Sequence, residues 1–150
     1  MADTEDNKNK TDSADKGKDD NNSLLPKLNI DEIGKGFVDN YYEIFSNDRS
    51  KLEEFYREPS CLSYEGQGYQ GPNKIMNKLR NLAIKSIKYD SKTIDVQPSG
   101  CGGLMIFVTG DLTLDNIKNP VKYSQSFHIV PINASTSNFW IHNDIFRLQV

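Results

Sequence analysis

Cysteine and histidine are scarce in this chain, two of each in 150 residues, and the scarcity excludes chemistry. Cys61 and Cys101 lack the paired spacing of a zinc site or a redox motif, and neither sits in a nucleophile signature. They read as two free thiols of a reducing compartment, and no metal or cofactor is expected. No apolar run approaches the roughly 18 residues of a membrane span, and no apolar stretch follows Met1 as in a secretory leader. Positive charge is not in excess either: 18 bases face 21 acids. Residues 1–23 take four of those bases and seven of the acids, which leaves 14 of each for the rest. A neutral remainder argues against nucleic acid, since phosphate binding wants a net basic face. The same 23 residues hold no large apolar side chain after Met1, so they cannot offset the entropy of ordering the chain. Residues 1–27 are therefore expected to be a disordered acidic tail, and 28–150 one domain.

What is present begins at Asn29, which reads as a helix N-cap with Glu32 at the third helical position and Leu28 and Ile33 as a hydrophobic staple. Ile30, Ile33, Phe37, Tyr41 and Ile44 recur in steps of three and four and predict one buried helical face. Gly34 and Gly36 interrupt that helix and call for a close neighbour. Asp48 is placed to cap a short second helix carrying Leu52, Phe55 and Tyr56, which Pro59 ends. A strand at Cys61–Glu65, a glycine turn, a short strand at Tyr69 and a third helix from Pro72 follow. From Ser86 the period becomes two. Ile87 and Tyr89 share a face, whereas Ile94 and Val96 have the opposite parity, which predicts a bulge near Ser91–Thr93. Leu104–Leu114, Val121–Val130 and Phe139–Val150 read as three long strands. Simple alternation puts Trp140, Phe146 and Leu148 on one face of the last, and Ile141, Ile145 and Arg147 on the other.

Helices followed by long antiparallel strands predict an α+β fold, a strongly curved sheet wrapped on three helices. The face turned away from the helices carries Met105, Phe107, Ile141 and Ile145, too apolar for open solvent, so a homodimer through the sheet is expected. Arg147, on that same face, is expected to pair across it.

Gly66, Gly68 and Gly71 spell G-x-G-x-x-G, with Asp90 where a ribose-binding acid would stand. That fingerprint should open a parallel βαβ unit, yet two helical segments precede it and only strands follow its helix. The glycines read instead as turn residues that tolerate positive φ. His142 and Asp144 stand two apart on a strand, the spacing of a general acid–base pair in a cavity. That leaves an isomerase or dehydratase as the alternative function, and a peptide-binding scaffold as another.

YYEIFSNDRSKLEEFYREPSCLSYEGQGYQG (41–71), VTGDLTLDNIKNP (108–120) and the closing NDIFRL (143–148) resemble the nuclear transport factor 2 family. The likeness runs from about Leu28 to Val150 in the same order. It implies a cone with an apolar cavity open at one end, a homodimer, and no bond made or broken. It further implies import of the small GTPase Ran in its GDP form, an aromatic of Ran entering the cavity, and Phe-Gly repeats of nucleoporins bound elsewhere. Such a carrier works in the cytoplasm, the nucleus and the nuclear pore. By the same resemblance Glu65 and Asp115 match rim acids, and a third rim acid falls at Asn119. Tyr64 replaces an aromatic that is often Trp. Tyr89 stands where some members have His, and Phe146 lines the cavity. Ile30 takes a nucleoporin-contacting position that is aromatic in several members. Phe107 and Ile145 match the dimer face.

Overall fold

The computed structural model describes residues 29–100, 102–115, 117–133 and 138–149. The expected tail, the Leu28 half of the staple and Cys101 lie outside them. Helix α1 spans Ile30–Asn47, a 3₁₀ helix follows over Arg49–Phe55, and α2 runs Pro72–Arg80. The strands are β1 (Tyr56–Tyr64), β2 (Gln67–Gln70), β3 (Ile87–Pro98), β4 (Leu104–Leu114), β5 (Val121–Pro131) and β6 (Phe139–Gln149). They form one curled sheet in the order β2-β1-β6-β5-β4-β3, antiparallel except where β1 meets β6.

Helix α1 buries Phe37, Val38, Tyr41, Tyr42 and Phe45, while Ile30, Ile33 and Ile44 of the predicted stripe are half-buried against the core, so the buried face is turned slightly toward Val38 and Tyr42. The capping differs. Asn29 makes no side-chain cap bond, and only its backbone carbonyl accepts from Glu32 and Ile33 N–H, at 2.9 and 3.2 Å. Asp48 likewise caps nothing; its carboxylate accepts from Ser50 Oγ at 2.6 Å. The two glycines separate. A Cβ at Gly34 would lie 2.4 Å from Val96 Cγ2, so α1 crosses β3 there, but one at Gly36 would meet nothing within 4 Å.

The second helical segment stops at Phe55, and Tyr56 already belongs to β1. Pro59 is therefore not a helix stop. It lies in the irregular stretch of the β1–β6 register between Tyr56 and Cys61, where a residue without an N–H interrupts no regular ladder.

Two bulges decide which side chains face the helices. The first falls between Ser91 and Thr93, as the parity change predicts, and turns Ile94 and Val96 to the same side as Ile87 and Tyr89. The second was not foreseen. His128 pairs with Asn143 but the next residue, Ile129, pairs with Ile141, so β6 carries an extra residue at His142. Beyond it the alternation inverts. Ile141 is fully buried with Asp144 and Phe146, while Trp140 changes to the other face.

Candidate functional site

Tyr64 pairs with Gln67 and leaves a two-residue turn, Glu65-Gly66, whose φ angles are 50° and 85°. Positive φ at both central positions is what a type I′ hairpin needs, and Asn, Asp or Gly normally supplies it. A glutamate held there costs roughly 1–2 kcal/mol. The surrounding contacts hold it in place. Its N–H donates to Phe146 O at 3.1 Å, and its carboxylate accepts the N–H of Leu148. Glu65 thus continues the edge of β1 with a side chain and remains exposed at the end of β6.

Behind it stands a block of aromatic rings. Tyr64 stacks on Phe146 with centroids 4.9 Å apart and planes 15° apart, and Phe146 stacks on Tyr123 at 6.0 Å. Tyr89 lies flat on Tyr42 at 3.9 Å and edge-on to Phe45 and Tyr123. Lys78 Nζ sits 5.4 Å from the Tyr64 ring, and the Arg49 guanidinium 5.0 Å from Phe45. Phe146 lies deep in this block, only 3 % exposed. A recess of about 200 Å³ reaches Tyr89 from outside, between Tyr42 and Lys88. Burial raises the hydroxyl of Tyr89 well above its ordinary range and that of Tyr123 to about 12. Both therefore stay neutral donors. The Tyr123 hydroxyl is buried beside that of Tyr42, with the two rings edge-on at 5.9 Å.

The other sequence-assigned residues are less alike. Asp115 directly follows β4. Its carboxylate accepts the N–H of Ser86 at 2.5 Å and of Lys85 at 3.2 Å, and ties the end of β4 to the loop before β3. Asn119 is exposed. Ile30 opens α1 half-buried against the core. Arg147 turns over its own chain, with Nη2 3.2 Å from where a Gly66 Cβ would stand.

On the outer face Phe107, Ser126 and Ile145 form one cross-strand row. Phe107 and Met105 are each 44 % exposed and Ile145 is 51 % exposed. A shallow hollow of about 240 Å³ lies between Met105, Phe107 and Ser126. Ile141, expected on this face, is buried on the other because of the bulge.

The same bulge dissolves the acid–base pair. His142 stays outside, its Nδ1 2.6 Å from Asn143 Oδ1 and its ring 5.5 Å from that of His128. Asp144 points in. It is 1 % exposed and accepts from Tyr56 OH at 2.8 Å, Gln125 Nε2 at 2.8 Å and, more weakly, Tyr41 OH at 3.4 Å. Burial raises its carboxyl to about 6, against the pull of those donors. With His142 on the opposite side of the sheet, no proton can pass between the two. Among the described residues no three His, Cys, Asp or Glu side chains gather as a metal would require. The buried Tyr41–Tyr56–Asp144–Gln125 network itself was missed by sequence reasoning, because its members come from four separate elements.

A curled sheet on three helices, with an acid at a hairpin tip over an aromatic block, defines the cone-shaped α+β class. The family model for the nuclear transport factor 2 domain matches residues 33–148, and the chain belongs to that family. It is 38 % identical to nuclear transport factor 2B of Arabidopsis thaliana over 126 residues, 83 % of this chain and 98 % of the relative. It is 42 % identical to nuclear transport factor 2 of Schizosaccharomyces pombe over 114 residues, 75 % and 90 % of the two chains. The solved structure of nuclear transport factor 2 from Cryptosporidium parvum is 38 % identical. It superposes with a TM-score of 0.75 over 80 % of this chain and 94 % of its own.

Proposed function

We propose that this chain is a homodimeric import carrier that binds Ran in its GDP form and Phe-Gly nucleoporins, and so moves between cytoplasm and nucleus through the pore. Its membership among nuclear transport factors supports the general reading. The observation that carries the particular one is Glu65, an exposed carboxylate kept in a left-handed backbone at the rim of the aromatic block. Strain of this kind persists where function selects the side chain over the backbone's preference. The incoming aromatic would stack on Tyr64, the half-buried outer ring of the block, with Phe146 and Tyr89 behind it. Glu65 would then pair with a basic flank. Asp115 has committed both oxygens to the backbone N–H groups of Lys85 and Ser86, so it contributes field more than contact. Asn119 contributes no charge.

The exposed row of Phe107 and Ile145 around the small Ser126 suits a second copy, which shields three large apolar side chains per protomer. Ile30 supplies an apolar but non-aromatic contact for nucleoporin repeats. Catalysis is not part of this reading, since the relatives are named as transport factors and His142 and Asp144 face opposite ways.

The test is calorimetric titration of Ran, once with GDP and once with a GTP analogue. Binding is expected for the GDP form alone. Glu65→Lys should abolish it, since a reversed interfacial charge costs several kcal/mol. Glu65→Gln, which retains an acceptor for the Leu148 N–H, should weaken it without loosening the hairpin. A folded dimer that binds neither nucleotide form would overturn the proposal.

A further inference from the structure

At the opposite end of β6 from Glu65 lies a groove of about 560 Å³, between the outer side of α1 and Ile132, Asn138 and Phe139. Ile33, Phe37, Phe55 and Phe139 form its apolar wall, and Glu32 and Glu54 stand on its rim. Gly36 lies within it, and among the described residues none requires that glycine: no atom of theirs lies within 4 Å of where its Cβ would stand. The missing side chain keeps the groove open along the helix. Lining residues run from Asn29 to Asn40, roughly 16 Å at 1.5 Å per residue.

The chain enters the described structure at Asn29, itself part of the lining. The residues just before it read Leu24-Leu25-Pro26-Lys27-Leu28, and they hold every large apolar residue of the first 28 after Met1. Pro26 disfavours helical backbone at Leu25. Extended, five residues span about 17 Å, close to the length of the groove. Lys27 matches the charge of Glu32 and Glu54. Asn29 has φ −33° and ψ 88°, already off the helical path, so the chain can reverse there.

We propose that Leu24–Leu28 folds back into this groove within its own chain, with the leucines against Ile33, Phe55 and Phe139 and Lys27 at the acidic rim. The groove is then a masked surface, and the acidic residues 1–23 are held over that end of the cone. The inference does not rest on the Ran contacts of the carrier reading, which lie at the other end of the sheet; of that reading's residues only Ile30 adjoins the groove, next to Asn29.

Methyl-labelled full-length protein tests it by nuclear magnetic resonance. Cross-peaks between Leu24 or Leu25 methyls and the rings of Phe55 or Phe139 are expected. Replacing all three leucines (Leu24→Ser, Leu25→Ser, Leu28→Ser) should shift the Ile33 and Ile132 methyl signals. Gly36→Leu fills the groove from an exposed helix position and leaves the core untouched. It should raise amide exchange at Leu25, Lys27 and Leu28 at least tenfold. Ile33 and Ile132 signals unmoved by the triple replacement, or exchange unchanged in Gly36→Leu, would overturn the proposal. Cross-peaks found only between differently labelled copies in a mixed sample would overturn it too, since they place the segment on a neighbour.

Discussion

Asp144→Asn should change how stability depends on pH, and the structure sets the size and sign. The carboxyl is buried and titrates at about 6, against 3.8 for a free aspartate. Between those values the folded chain holds a proton that the unfolded chain has released, so this group makes stability fall as pH rises. Its contribution is fully favourable below about pH 4 and is lost as pH passes 6. Two pH units correspond to roughly 3 kcal/mol. Asparagine has nearly the same shape and no charge. Gln125 can flip its amide to accept from the new side chain while Tyr42, now 2.9 Å from Gln125 Oε1, turns its hydroxyl to accept. The measurement is urea unfolding of both proteins at fixed protein concentration from pH 4 to 7.5. Relative to Asp144→Asn, the natural chain should lose roughly 3 kcal/mol over that range. A difference that stays flat within about 0.5 kcal/mol would refute the reasoning. It would mean that Tyr56 and Gln125 solvate the carboxylate as well as water does.

Three further outcomes are expected. Gly34→Ala should destabilise the fold by about 1–3 kcal/mol through its clash with Val96, whereas Gly36→Ala should stabilise it by up to about 1 kcal/mol; urea midpoints distinguish them. Phe107→Asp with Ile145→Asp should yield monomers in sedimentation velocity, and a persisting dimer would place the interface elsewhere. Deleting residues 1–23 should leave the melting temperature within the error of the scan, since that segment brings no large apolar residue after Met1 to bury; a large drop would show that it packs on the core.

Much of this fold is written in local patterns. The stripe on α1 and the Ser91–Thr93 bulge are legible because apolar spacing alone specifies them. Gly66 and Gly71 are legible as turn residues because glycine marks positive φ, whereas Glu65 reads as the end of a strand yet shares the turn, and Gly68 lies in β2 without positive φ. The bulge at His142 is not, since Ile141 and Ile145 fit one uninterrupted face equally well and only pairing with His128 and Ile129 reveals the extra residue. Tyr56 reads as helix because its neighbours do, yet its hydroxyl is committed to Asp144, far along the chain. The partners of Asp115, the amides of Lys85 and Ser86, likewise belong to a different loop. What escapes the sequence in each case is a contact between distant segments, which no local period encodes.

The parallel pairing of β1 with β6 bears on how the chain is made. Everything up to Arg80 is synthesised early, but β1 lies in the sheet between β2 and a strand that begins only at Phe139. Until that strand emerges, the long edge from Tyr56 to Tyr64 has no mate, and the hydroxyl of Tyr56 has no carboxylate to meet. Folding of the first half therefore waits for the last strand, and the loop closure involved is among the longest the chain allows. A nascent or prematurely stopped chain would present an open strand edge to its neighbours. Shortening at the C-terminal end should thus be far more damaging in the cell than shortening at the other.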